Sequence, residues 1–199
     1  MKHTLVALME DKPGVLNRVV NMFSRRAFNI ESLTVGHTDQ RGISRMTVVV
    51  DGSNTDVEQV VKQLYKLIDV IKVSDVTHDK TVLRDLALIK INATRDTRGE
   101  IVQIAGIVGA QVIDLAHDSV IVQMADDEEK IDDFVRLVRP FGLKEMVRTG
   151  RVAMARGALN VQRAPEAEEL ATATARPRYD VRAPTAKKKV TADLTGDAG

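Results

Sequence analysis

The chain has no cysteine. That removes disulfides, thiolate metal sites, iron–sulfur clusters and cysteine nucleophiles together. It has no tryptophan, two tyrosines and four phenylalanines, so stacking platforms for bases or sugars are scarce. No apolar run approaches the ~18 residues of a membrane-crossing helix. The opening Met1-Lys2-His3-Thr4 runs straight into a strand-like segment and carries no signal-peptide pattern. The expectation is a soluble, cytoplasmic protein, with a plastid left open although no transit peptide is seen. Neither charge sign dominates, with Lys plus Arg at 29 and Asp plus Glu at 28 in 199 residues. Residues 1–79 carry 10 basic and 10 acidic groups, residues 80–157 carry 12 and 12, and residues 158–199 carry 7 and 6. Neither half has the excess of a polyanion binder, so no nucleic-acid partner and no membrane partner is expected.

Catalytic signatures are also missing. There is no G-x-S-x-G, no G-x-x-x-x-G-K-[ST] and no G-x-G-x-x-G. His3, His37, His78 and His117 sit at strand starts and ends without metal-ligand spacing, and are read as surface or edge histidines. The run Asp126-Asp127-Glu128-Glu129 heads a helix, where carboxylates cap and suit the dipole, so no metal site is expected. Gly106-Ile107-Val108-Gly109 matches the GXXG of a KH domain, but glycine at a helix end explains it without a nucleic acid.

What is present is a repeated pattern. Residues 2–9 read as a strand, then Val15, Val19 and Phe23 mark one face of a helix ending near Arg25-Arg26. Residues 28–37 and 43–51 read as strands around the turn Thr38–Gly42. Asn54 or Thr55 is the expected N-cap of a second helix, with Val57, Val60, Val61, Leu64, Leu67 and Ile68 on its apolar face. Residues 70–78 close the unit. About 80 residues on, the order recurs: strand 83–93, a helix around Ile101–Val108, strands 110–117 and 119–125, a helix capped by Asp126 or Asp127 with Ile131, Phe134, Val135 and Val138 inward, and a last strand over 143–153. Two βαββαβ units predict an α+β protein of two tandem ferredoxin-like modules, each a four-stranded antiparallel sheet with both helices on one face. The domains expected are 1–79 and 80–157. Runs such as Met46-Thr47-Val48-Val49-Val50 are apolar at successive positions. The sheets' second faces are therefore expected to be covered, by the other unit or by another copy. Residues 158–199 lack periodic apolar positions and read as a disordered tail.

One segment invites a ligand. Glu10-Asp11-Lys12-Pro13-Gly14 joins a strand directly to a helix. Gly14 leaves room beside the exposed N–H groups at the helix start, which favour an anion such as a carboxylate. Asp11 beside it would accept from an ammonium group, and a free amino acid carries both. The alternative is a tight turn capped by Asp11.

Leu8-Met9-Glu10-Asp11-Lys12-Pro13-Gly14-Val15-Leu16 resembles the opening of an ACT domain, an amino-acid-binding regulatory module with the βαββαβ fold. The run Phe23–Gly36, containing Asn29-Ile30-Glu31-Ser32-Leu33-Thr34-Val35, followed by Ser44-Arg45-Met46-Thr47, resembles the regulatory (small) subunit of acetolactate synthase, also called acetohydroxyacid synthase. Gln63–Val70 and Val147–Ala153 are similar to it as well, so the likeness spans about 1–157. The resemblance implies a subunit without catalytic site or cofactor of its own. Thiamine diphosphate, Mg²⁺ and FAD would belong to a catalytic (large) subunit that performs the pyruvate carboligation. It implies activation of that partner, feedback inhibition by valine or a related branched-chain amino acid, and a homodimer whose paired ACT domains hold the effector. Carried over by position, the effector residues are Asp11, Gly14, Val15 and Leu16 at the first turn, with Asn29, Ile30 and Val35 at the facing interface. The alternative function is a stand-alone ACT-type amino-acid sensor acting on transcription or on another enzyme. An RNA-binding ferredoxin-like domain would need strand aromatics, and Ile43–Asp51 and Ser119–Ala125 contain none.

Overall fold

The computed structural model describes residues 1–52 and 56–157. The expected tail and the expected caps Asn54 and Thr55 lie outside them. The first module runs β1 (Lys2–Glu10), α1 (Val15–Arg25), β2 (Ile30–His37), β3 (Ile43–Asp51), α2 (Val57–Leu64) and β4 (Val70–Asp75). The second runs β5 (Thr81–Asn92), α3 (Arg98–Ile107), β6 (Gln111–Leu115), β7 (Ser119–Asp126), α4 (Glu128–Val138), a single 3-10 turn (Arg139–Phe141), β8 (Leu143–Arg148) and β9 (Val152–Ala155). The sheet orders are β2-β3-β1-β4 and β6-β7-β5-β8, with β9 paired to β5 off that path. Setting β9 aside, the two orders correspond strand for strand. These are tandem ferredoxin-like modules, as the repeat predicts.

In each module one residue parity of the central strand faces the helices. Leu5, Ala7 and Met9 of β1 meet Val15, Val19 and Phe23 of α1 and Val60 and Leu64 of α2. Ala87, Ile89 and Ile91 of β5 meet Ile101, Ala105, Ile131, Phe134 and Val138. Phe23 and Phe134 are the largest fully buried side chains, and each such burial stabilises by roughly 1.5–3 kcal/mol.

Three local expectations change. The α2 periodicity extends to Ile68, yet the helix ends at Leu64 and Ile68 is 89% exposed. Tyr65 explains the stop. Its hydroxyl donates to the Val73 carbonyl oxygen (3.0 Å) and accepts from the Val73 N–H (3.1 Å), so the chain must fold back onto β4. The α2 cap is Asp56, accepting from the N–H groups of Glu58 (3.0 Å) and Gln59 (3.4 Å). The single strand expected over 143–153 is two: Gly150, at φ +89°, breaks it. Beyond that turn β9 pairs with the first four residues of β5, from Thr81↔Ala155 to Arg84↔Val152.

That break covers a sheet face. The ribbon of β9 and the start of β5 crosses the first sheet on the side away from its helices. Val6, Val76 and Ala153 are buried there with Leu83 packed on them. The consecutive apolar residues of β1, Leu5 to Met9, are all buried because one parity meets the helices and the other lies on this second face. The modules therefore pack on each other over the first sheet, one of the two outcomes expected, whereas the second sheet's outer face, with Leu88 37% exposed, is left uncovered by the described residues.

Candidate functional site

The β1–α1 turn is held from both sides. The Asp11 N–H donates to the Gly42 carbonyl oxygen (2.8 Å), and the Glu10 N–H donates to that of Asp69 (2.9 Å). Gly14 occupies the helix N-cap position at φ +85°. A residue with a Cβ is strained in that left-handed region, so glycine is the residue that lets strand pass into helix here. No side chain caps the helix. Asp11 is not the cap that the alternative reading assigned to it. Its carboxylate instead lies 3.2 Å from Nδ1 of His37 at the end of β2.

The helix start retains donor capacity. The Val15 N–H reaches the Lys12 carbonyl oxygen (3.3 Å) and the Arg18 N–H reaches that of Gly14 (3.0 Å). Among the described residues no group accepts from the N–H groups of Leu16 and Asn17, so two donors at the positive end of the dipole stay open. A Cβ at Gly14 would meet only Arg18 Nη1, at 3.5 Å. Sequence reasoning missed Arg18. The signal was its spacing, four residues after Gly14 and so on the same helix face. Its guanidinium is fixed by Asp69, with Nε and Nη2 at 2.8 and 2.7 Å from Oδ2. A cation, two free N–H donors and an exposed carboxylate, Asp11, thus surround one open glycine. The set suits a zwitterion.

The structure brings Asp11, Gly14, Val15 and Leu16 together at this turn, with different exposures. Leu16 is 41% exposed, whereas the Val15 side chain is core at 3%, so only its backbone faces the turn. Asn29, Ile30 and Val35 lie apart, along β2. Val35, aligned with Met46, is 39% exposed; Ile30, aligned with Val50, begins the strand at the opposite end from His37. Within one chain, Asn29 and Ile30 do not reach the turn. β2 is the edge of its sheet.

The remaining candidates resolve simply. Among the described residues no group of three or more His, Asp and Glu could hold a metal ion. Asp127 caps α4, accepting from the Lys130 N–H (3.0 Å), which accounts for the acidic run. A hydrogen bond from the Asp127 N–H, with Lys130 beside it, holds Asp126 below the usual carboxylate range despite partial desolvation. Gly109, at φ +74°, ends α3, and the Ala110 N–H closes back on the Ala105 carbonyl oxygen (2.8 Å), so the GXXG is a helix terminus. No helix of the described residues is long and apolar enough to cross a membrane.

The two sheets, each with its helices on one face, define a protein of tandem ferredoxin-like modules of the ACT type. Comparison with known proteins narrows it. A family model described as an AHAS small subunit-like ACT domain matches residues 5–72, and one described as the small subunit of acetolactate synthase matches residues 84–157. The chain is 52% identical over 157 residues to the "Probable acetolactate synthase small subunit" of Archaeoglobus fulgidus, covering 79% of this chain and 98% of that one. It is 46% identical over 159 residues to the acetolactate synthase small subunit of Bacillus subtilis, covering 79% and 92%. The crystal structure of the Thermotoga maritima small subunit superposes with a TM-score of 0.74 at 36% identity, covering 80% of this chain and 99% of that one. The chain belongs to the acetolactate synthase small-subunit family.

Proposed function

We propose that this subunit activates a thiamine-diphosphate-dependent catalytic partner and confers feedback inhibition by valine or a related branched-chain amino acid. The carboligation, with its thiamine diphosphate, Mg²⁺ and FAD, belongs to that partner. The carrying observation is the β1–α1 turn, with the free N–H groups of Leu16 and Asn17, the open side of Gly14 and the exposed Asp11 carboxylate. The effector carboxylate sits on the helix-start donors near Arg18, and its ammonium faces Asp11.

A second copy completes the site. The β2 edge offers unpaired backbone groups. Antiparallel pairing of two such edges about a two-fold sets residue 30 of one strand near residue 37 of the other. Asn29 and Ile30 of the partner copy then approach the Asp11–His37 end of this chain, while Val35 lies near the centre of the seam. A site shared by two chains has an affinity that depends on how they sit, which is what a regulatory ligand needs to prefer one quaternary state.

The test is reconstitution. The purified chain, supplied with thiamine diphosphate, Mg²⁺ and FAD, is expected to form no acetolactate above a mock preparation. Added to the catalytic subunit, it is expected to raise the rate and to make it valine-sensitive. Turnover by the chain alone, or a complex indifferent to valine, leucine and isoleucine, would overturn the reading.

A further inference from the structure

β2 faces two ways. Its edge faces the second copy, and its outward side chains touch the second module. We propose that the β8–β9 turn, Thr149–Arg151, is the relay that carries effector occupancy from the first module to the second. The inference rests on the proposed effector site.

The turn is anchored to the second module. The Thr149 N–H donates to the Leu86 carbonyl oxygen (3.0 Å), and the Leu86 N–H donates to Thr149 Oγ1 (3.2 Å). Asp85, buried at the same strand, accepts from Thr149 Oγ1 (3.2 Å) and from the Gly150 N–H (3.0 Å). Toward the first module the turn rides on β2. The Arg151 N–H donates to Ser32 Oγ (2.9 Å), and Thr34 Oγ1 donates to the Thr149 carbonyl oxygen (3.4 Å). The approach at Gly150 is so close that a Cβ there would lie 2.6 Å from Ser32 Oγ and 3.2 Å from Thr34 Oγ1. A shift of β2 therefore cannot leave this turn unmoved.

A chain of charges runs beside it. Glu31 of β2 holds Lys2 Nζ (2.9 Å), which also reaches Glu128 at the head of α4 (3.1 Å). Glu128 in turn holds Arg151 Nη2 (2.7 Å), whose Nη1 donates to Thr4 Oγ1 (3.3 Å). β2 also has an irregular register between Ile30 and Ser32, at Glu31. Such a bulge marks a place where a strand bends rather than lies flat. Between these contacts an open cleft of about 370 Å³ remains, with Leu33 and Val49 on one side and Asp85 and Arg148 on the other. The modules thus meet at a packed apolar ribbon, around Val6 and Ala153, and at a polar turn, with an open cleft between.

A relay separates binding from response, and that separation is the test. The variants are Ser32→Ala with Glu128→Gln, singly and together, each checked for an unchanged thermal transition, and Glu128→Asp as the charge-retaining control. Valine binding to the free full-length chain is expected to stay within about twofold of the wild type. In the reconstituted complex the valine concentration for half-inhibition is expected to rise about fivefold or more in the double variant, with basal activation kept. Glu128→Asp should retain more of the response than Glu128→Gln. Full valine response in the double variant would overturn the relay. Loss of valine binding to the free chain would overturn it too, by showing that these residues shape the effector site itself. A wild-type complex without valine response would sink the effector reading and the relay with it, an outcome told apart by the wild-type arm alone.

Discussion

At the scale of single residues, the βα turn depends on Gly14. Its φ of +85° makes any side chain cost about 1–2 kcal/mol, while the space beside it is bounded only by Arg18. Gly14→Asp adds a carboxylate at the place proposed for the effector's own. Repulsion between unit charges ~4 Å apart at an effective dielectric of ~20 is about 4 kcal/mol as an upper guide. Half of that weakens binding about 30-fold. Gly14→Asn carries much of the same strain without the charge, and asparagine tolerates the left-handed region best after glycine. The expected result is a complex still activated in both variants, with valine response lost in the Asp variant far more than in the Asn variant. Equal valine sensitivity in Gly14→Asp and wild type would remove Gly14 from the site, and equal loss in both variants would make backbone strain the cause. The strand-to-helix turn was legible in the sequence, because Pro13-Gly14 stands between a strand run and a helix run, and the same residues read equally as a ligand site or as a plain tight turn. Arg18 and its partner Asp69 were not. They are 51 positions apart, and only the fold brings residue 69 to the head of α1. The pairing of Asp11 with His37 was hidden for the same reason.

Elements were read well where an apolar period had a local stop signal and poorly where the stop came from tertiary contact. α1 ended near Arg25-Arg26 as expected, and Asp127 capped α4. α2 stopped a turn early because Tyr65 bonds to β4, something no window of its own sequence contains. The strand after the 3-10 turn was broken by a glycine that looks like any other until its φ is known. The α2 start carries a checkable energy. Asp56 satisfies two helix-start donors, and Glu58 with Lys62 (2.9 Å) completes an exposed i, i+4 pair on that turn. Asp56→Ala is expected to cost about 1 kcal/mol, lowering the thermal midpoint by roughly 2–4 °C for a chain of this size. Asp56→Ser, which can accept the same bonds, is expected to lose much less. An alanine variant as stable as the wild type would mean that water replaces the cap without loss.

For the whole molecule, the repeat predicted two modules and the apolar strands predicted that something covers their outer faces. What covers the first sheet was not legible, because the covering ribbon pairs residues 81–84 with 152–155 across the full length of the second module. The contact is part apolar and part ionic, and the ionic part has a pH signature. Hydrogen bonds to Glu31 and then to Glu128 hold the Lys2 ammonium above the usual lysine range, outweighing a small desolvation in the other direction. A raised folded-state pKa means stability that is fully present below the unfolded lysine pKa and is lost as pH rises through the folded value. Lys2 is 47% exposed, so solvent screening keeps the effect to at most about 1 kcal/mol. Lys2→Met removes the titrating group while keeping an unbranched side chain. The wild type is therefore expected to exceed Lys2→Met in stability by a roughly constant margin from neutral pH to about pH 9, and the margin should shrink above about pH 10.5. Thermal unfolding of both chains across that range measures it directly. A margin that stays flat to the highest pH would mean that the Lys2 charge does not tie the two modules together.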